Sequence, residues 1–150
     1  MAVTASVYNG GLKAILEGVD FENDDIKVAL LDTGYTVDVD GDVYFSDVSG
    51  DEISGAGYTA GGQSLEGLSG GITAYQDNVN NRADVENVDT TMWDALTATN
   101  LRYAVLYKNT GTASTSPLLF AINFGTTYNL TAQDFSIVWA MSLLFILKKT

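Results

Sequence analysis

The sequence predicts an all-β protein, mainly antiparallel, built as a β-sandwich or a Greek-key, jelly-roll-like barrel with one short N-terminal helix. Three observations predict it. Strand-length runs rich in Val, Ile, Leu, Tyr and Phe recur at residues 26–32, 102–108, 118–124 and 135–140. Turn-forming residues separate them, and residues 50–71 alone hold eight of the 15 glycines. In two of the runs both alternating faces are apolar, the pattern of strands buried on both sides.

The elements follow in chain order. Residues 7–16, VYNGGLKAIL, place Val7, Leu12, Ile15 and Leu16 at mixed helical spacing. Gly10 and Gly11 each weaken a helix by about 1 kcal/mol relative to Ala, so a short helix over residues 11–17, stopped at Gly18, is expected. DFENDD is an acidic loop. IKVALLD then reads as a strand with Ile26, Val28 and Leu30 on one face and Ala29 and Leu31 on the other. Residues 35–52 are polar and acidic, with Tyr44, Phe45 and Val48 as anchors. The glycine-rich stretch that follows reads as loops and short strands, with Tyr58, Leu65 and Leu68 available for burial. Residues 72–89 alternate at Val85 and Val88 around the loop-like NVNN, and Trp93 and Leu96 cap the core.

The centre of the domain is the hairpin RYAVLYKNTGTASTSPLLFAINFG, residues 102–125. Tyr103, Val105 and Tyr107 share one face of its first strand, Ala104 and Leu106 the other. Pro117, the one proline, precedes the second strand, where its missing N–H costs the ladder nothing. Residues 26–32 are its natural partner, and FSIVWA alternates cleanly as a further strand, with Phe135, Ile137 and Trp139 on one face. Residues 1–142 form a single β-domain in this reading. Residues 143–150 form a C-terminal strand or arm whose Leu143, Leu144, Phe145, Ile146, Leu147, Lys148 and Lys149 are candidates for a partner interface.

Composition narrows function. A chain of 150 residues buries enough surface for a core without staples. It has no Cys and no His, which excludes disulfides, Cys/His zinc sites and His-dependent nucleophilic triads. The net charge is −12, and 12 of the 19 acids fall in residues 17–52 against one base there, Lys27. Such a surface repels phosphate backbones and anionic lipid, so no direct nucleic-acid or membrane partner is expected. No basic-then-apolar leader stands at the N-terminus, and IVWAMSLLFIL, residues 137–147, is about half the roughly 20 residues a membrane helix needs.

Three motifs test poorly as chemistry. Asp38, Asp40 and Asp42 alternate like the start of a calcium loop, but Val43 stands where the EF-hand glycine belongs and Ser49 where its closing Glu belongs. A solvated acidic loop is the better reading, with loose cation binding as the alternative. GAGYTAGG has the spacing GxGxxxG with no Lys-Ser/Thr after it, which points to turns needing positive φ rather than a phosphate cradle. Nothing selects one carboxylate pair for glycoside hydrolysis. No catalytic, cofactor or metal residue is assigned, and the chain reads as non-enzymatic.

Several stretches together resemble a family of small virion structural proteins of tailed bacteriophages: MAVTASVYNGGLKAIL, DIKVALLDTGYTVDVD, YFSDVSGDEISGAGYTAGGQSL, the 102–125 hairpin, and DFSIVW as a closing strand. The resemblance implies a capsid decoration or cement protein on the outer surface of the virion, partnered by the major capsid protein and by copies of itself, stabilising the shell. The alternative is a neck or tail component, or a tail adhesin presenting Tyr35, Tyr44, Tyr58 and Tyr75. The chain departs from the family at AMSLLFILKKT, which lacks the glycine turn expected there and leaves a continuing strand and an arm both open.

Overall fold

A computed structural model describes residues 2–65, 72–79, 82–87, 90–139 and 145–148. The chain is mainly antiparallel β, as expected. Its strands are β1 (Thr4–Val7), β2 (Ile26–Asp32), β3 (Gln63–Ser64), β4 (Ile72–Asp77), β5 (Arg82–Asn87), β6 (Thr90–Lys108), β7 (Leu118–Val138) and β8 (Phe145–Lys148). Two short helices accompany them, α1 (Asn9–Leu16) and α2 (Phe45–Val48). The helix expected over residues 11–17 thus begins two residues earlier, because Tyr8 is already extended and the Leu12 N–H reaches back to the Tyr8 carbonyl. Among the described residues, no helix is long and apolar enough to cross a membrane.

A five-stranded sheet in the order β1-β7-β6-β2-β3 carries the core. Its middle is the expected hairpin, with Tyr103 opposite Asn123 and Leu106 opposite Phe120. β2 pairs with β6 from Ile26↔Lys108 to Leu31↔Tyr103, so the partner inferred from two-faced apolarity is the partner found. Both faces are buried. Ile26, Val28, Leu30, Ala104, Leu106 and Leu119 pack on one side, with Phe21, Ile53 and Leu65. Ala29, Leu31, Val105, Tyr107, Leu118 and Ala121 pack on the other, with Tyr8, Tyr35, Phe45 and Val48, and the Phe45 ring stacks on Tyr107 at 4.2 Å. Burying a Leu or Val side chain contributes about 1.5–3 kcal/mol, which makes these three strands the stable centre.

β6 and β7 are far longer than the hairpin predicts. They continue as a two-stranded ribbon until Thr90 stands opposite Val138. The further strand expected at residues 135–140 is therefore the far end of β7. Trp93 and Leu96 are not caps but interior residues of β6, 1% and 0% exposed. Trp93 and Phe135 lie 6.1 Å apart, and Phe135 packs edge-on against Phe124 and Tyr128.

The ribbon is bulged, and side chains satisfy the amides that the bulges free. Ala95, Asn100, Gly125 and Ala132 all have positive φ, between 48° and 74°. The Ala95 N–H donates to Asp134 Oδ1, the Asn100 N–H to Asn129 Oδ1, the Ala132 N–H to Thr97 Oγ1 and the Gly125 N–H to Asn123 Oδ1. Each is an N–H that the kink takes out of the ladder.

A second sheet, β4-β5-β8, takes two strands from before the ribbon and one from after it, with only residues 88 and 89 between β5 and β6. Asn78 and Val79, the first half of the loop-like NVNN, form a turn after β4, and Asn80 and Asn81 lie outside the described residues. The boundary expected at residue 143 falls outside the described residues, as does Leu68.

Candidate functional site

The acidic loops are held by their own carboxylates. Asp38 Oδ1 accepts the N–H groups of Asp40 (3.2 Å) and Gly41 (2.9 Å), closing the turn at the head of the loop. Asp40 Oδ1 accepts from Asn9 Nδ2 at 2.5 Å, beside the Asn9 N–H bond to the Val39 carbonyl, so the loop is tied to the start of α1. Asp42 Oδ2 accepts from the Tyr35 hydroxyl at 3.1 Å, and Tyr35 in turn meets the Tyr8 hydroxyl at 2.5 Å. The three aspartates singled out as a candidate cation loop therefore point to three different partners. Among the described residues, no group of three or more acids could hold a metal ion.

Electrostatics follow this geometry. Burial pushes the Tyr8 and Tyr35 phenols far above the usual tyrosine range, so both stay protonated as donors. Burial also raises Asp42, against the Tyr35 hydrogen bond and with Asp38 and Asp47 adding repulsion. Asp47 moves the other way, because the Tyr44 and Val43 N–H groups both donate to it at the start of α2.

The glycine-rich loop is equally committed. Gly55, Gly57, Gly61 and Gly62 all have positive φ, the conformation inferred for GAGYTAGG. A Cβ on Gly57 would lie 2.6 Å from the Asp94 carbonyl oxygen, and one on Gly62 would overlap the Val28 carbonyl. These glycines bring backbone against backbone and leave no cradle. The loop is anchored by Glu52, whose Oε1 accepts from the Tyr58 hydroxyl (2.5 Å) and the Gly61 N–H (2.6 Å). Tyr58 Oη also accepts from the Leu30 N–H, and the Tyr107 hydroxyl donates to the Gly61 carbonyl. Desolvation and the Glu52 carboxylate raise the Tyr58 phenol well above its ordinary range.

The candidate partner residues divide. Phe145, Ile146, Leu147 and Lys148 form β8, paired with β5 from Val85↔Phe145 to Arg82↔Lys148, while Leu143, Leu144 and Lys149 lie outside the described residues. Of the tyrosines offered for an adhesin, Tyr35 is buried and Tyr58 is enclosed by its hydrogen bonds. Tyr44 is 41% exposed, and the Tyr75 side chain lies outside the described set.

One surface escapes sequence reading: the contrast between the two edges of the main sheet. β2's outer edge is covered piece by piece. Lys27 and Val28 pair with β3, the Leu30 carbonyl accepts from the Ile53 N–H, and the Ile26 carbonyl accepts from the Leu65 N–H. The ribbon edge of β6 is covered too, by Thr97 N–H to the Ala56 carbonyl and Gln63 Nε2 to the Met92 carbonyl. β7 pairs on its outer edge with β1 only from Phe120 to Asn123. Among the described residues, no strand pairs with that edge further along.

Charge is uneven along the chain. Residues 2–16 contain no acid, and residues 97–133 contain none either, whereas the loops beside β2 carry most of them. Val3 (64%), Leu12 (41%) and Leu16 (88%), in the acid-free N-terminal stretch, are exposed, as are Met92 (51%) and Val138 (74%) in the ribbon. No family model matches the chain, and neither a curated protein nor a solved structure matches it.

Proposed function

We propose that the chain is a non-enzymatic structural component of a tailed-bacteriophage virion, a decoration protein that binds the outer surface of the major capsid protein shell and stabilises it. The observation that carries this reading is the uneven distribution of charge along the chain, with the acids concentrated in loops held by hydrogen bonds. The acids sit on loops fixed by hydrogen bonds of the Asp38–Asp40 turn, Asp42 with Tyr35, and Glu52 with Tyr58. Acidic loops fixed in this way repel encapsulated DNA and keep crowded copies in solution, which suits an external position. Residues 2–16 are acid-free and carry exposed Val3, Leu12 and Leu16, apolar surface available to a shell contact. Each contact with a shell can be modest, since many sites on one particle raise the effective affinity. The edge strand β8 within residues 143–150 is the proposed shell contact, by strand addition.

The experiment is rebinding to shells stripped of this protein, followed by immunogold labelling. The expected result is label spread over the whole head, with binding abolished by deletion of residues 143–150 while the five-stranded sheet still melts cooperatively. Label confined to the tail would overturn the decoration reading in favour of a neck or tail component. Normal decoration by the truncated chain would remove the C-terminal strand as the anchor.

A further inference from the structure

We propose that the outer edge of β7 between its two bulges, residues 126–131, pairs antiparallel with the same strand of a second copy of this chain. The inference does not rest on the virion reading. A sheet edge presents a row of free N–H and C=O groups, and natural proteins blunt such edges with Lys, Pro or a covering segment. β2 and the ribbon edge of β6 have covering segments. β7 has none beyond Asn123 among the described residues.

Its composition invites pairing. Residues 126–131 read TTYNLT, with no charge, no proline and no glycine, and Thr and Tyr favour extended backbone. Thr126, Asn129 and Thr131 are exposed. Gly125 and Ala132, both at positive φ, flank the stretch, and within it Tyr128 and Leu130 keep their pairing with Leu101 and Ala98 of β6. A paired edge of that size closes on itself instead of propagating.

Charge identifies the occupant. Two chains of net charge −12 repel wherever their acids face each other, and residues 97–133 are free of acids. A basic partner would go to the acidic loops instead. This neutral edge is where a second acidic copy can approach.

The stretch is also self-complementary. A two-fold axis through Asn129 sets Thr127 opposite Thr131 of the second copy and Tyr128 opposite Leu130 of the second copy. Thr–Thr and aromatic–aliphatic cross-strand pairs are both favourable. Such an isologous contact gives a closed dimer.

The test uses the full chain. Sedimentation equilibrium of the wild type should give a mass near twice 16.0 kDa. Added salt should strengthen the association, because screening relieves repulsion between the acidic copies. Single-cysteine variants at each of residues 126–131 then exploit the natural absence of cysteine. Residues opposite each other in an antiparallel pair lie about 4.5–5.5 Å apart at Cα, within disulfide reach. Under mild oxidation with diamide, cross-linked dimer should peak at one position and fall off on either side, and Ser46→Cys beside the acidic loop should give none. The double variant Thr126→Lys, Thr131→Lys should sediment as a monomer with an unchanged melting temperature. A wild type that stays at 16.0 kDa at every salt concentration, an even cross-linking pattern, or a lysine variant that still dimerises would each overturn the proposal.

Discussion

Removing one oxygen atom tests how the glycine-rich loop is held to the sheet. In Tyr58→Phe the ring stays and the hydroxyl goes. That hydroxyl donates to Glu52 Oε1 at 2.5 Å and accepts the Leu30 N–H at 3.1 Å. A hydrogen bond to a charged group contributes about 1.5–3 kcal/mol, and a buried N–H left without a partner costs about 1–3 kcal/mol. Leu30 is fully buried, so water reaches its amide poorly. The two effects share one atom and overlap, which puts the expected loss at about 3 kcal/mol. For a chain of this length that lowers the melting temperature by roughly 6–12 °C. Tyr107→Phe removes a single bond to the Gly61 carbonyl and should cost only about 0.5–1.5 kcal/mol. Urea denaturation of Tyr58→Phe, Glu52→Gln and the double variant closes a thermodynamic cycle, whose coupling should be at least about 1 kcal/mol. A Tyr58→Phe loss below about 0.5 kcal/mol, or additive single effects, would refute a loop pinned by Glu52 and Tyr58.

Two further outcomes are expected. Leu106→Ala and Leu31→Ala empty opposite faces of the central sheet, and each should cost about 2–5 kcal/mol by denaturant unfolding; a near-silent result for either would mean that its face is not a true core. Asp42 has a folded-state pKa raised by burial, so its protonation favours the folded chain, and stability from this group rises as pH falls from neutral through that raised value. Asp42→Asn should therefore be more stable than the parent at neutral pH, with the gap closing towards the ordinary carboxylate range; urea midpoints across that range check it, and a gap that widens on acidification would reverse the sign.

The centre of the fold was legible because residues 26–32 and 102–108 are apolar on both faces, and strands buried on both sides leave that mark. Pro117 marked the start of β7 for a similar local reason: in an isolated bridge with Tyr44 it enters the strand without needing an N–H. The ribbon was not legible. Its bulges at Ala95, Asn100, Gly125 and Ala132 each shift the alternation by a residue, so no period of two survives over its length. The aspartate loop showed its composition but not its wiring, since which carboxylate meets Asn9, Tyr35 or its own backbone depends on contacts distant in sequence. The open edge of β7 had no signal of its own. It follows only from knowing which strands β1 and β2 choose.

Strand order also imposes a timetable on synthesis. β2 is completed at Asp32, yet the strand it pairs with, β6, ends at Lys108, and β1 waits for residues as late as Asn123. At about 5–20 residues per second, a ribosome leaves the IKVALL segment without its partner for several seconds. A bare apolar strand of that kind is an aggregation hazard, and flanking charges are the usual guard. Here Asp20, Glu22, Asp24 and Asp25 stand immediately before it, with Asp32, Asp38 and Asp40 close behind. The acids of the loops around β2 are thus placed to chaperone the most sticky strand in the nascent chain, until the hairpin arrives to receive it.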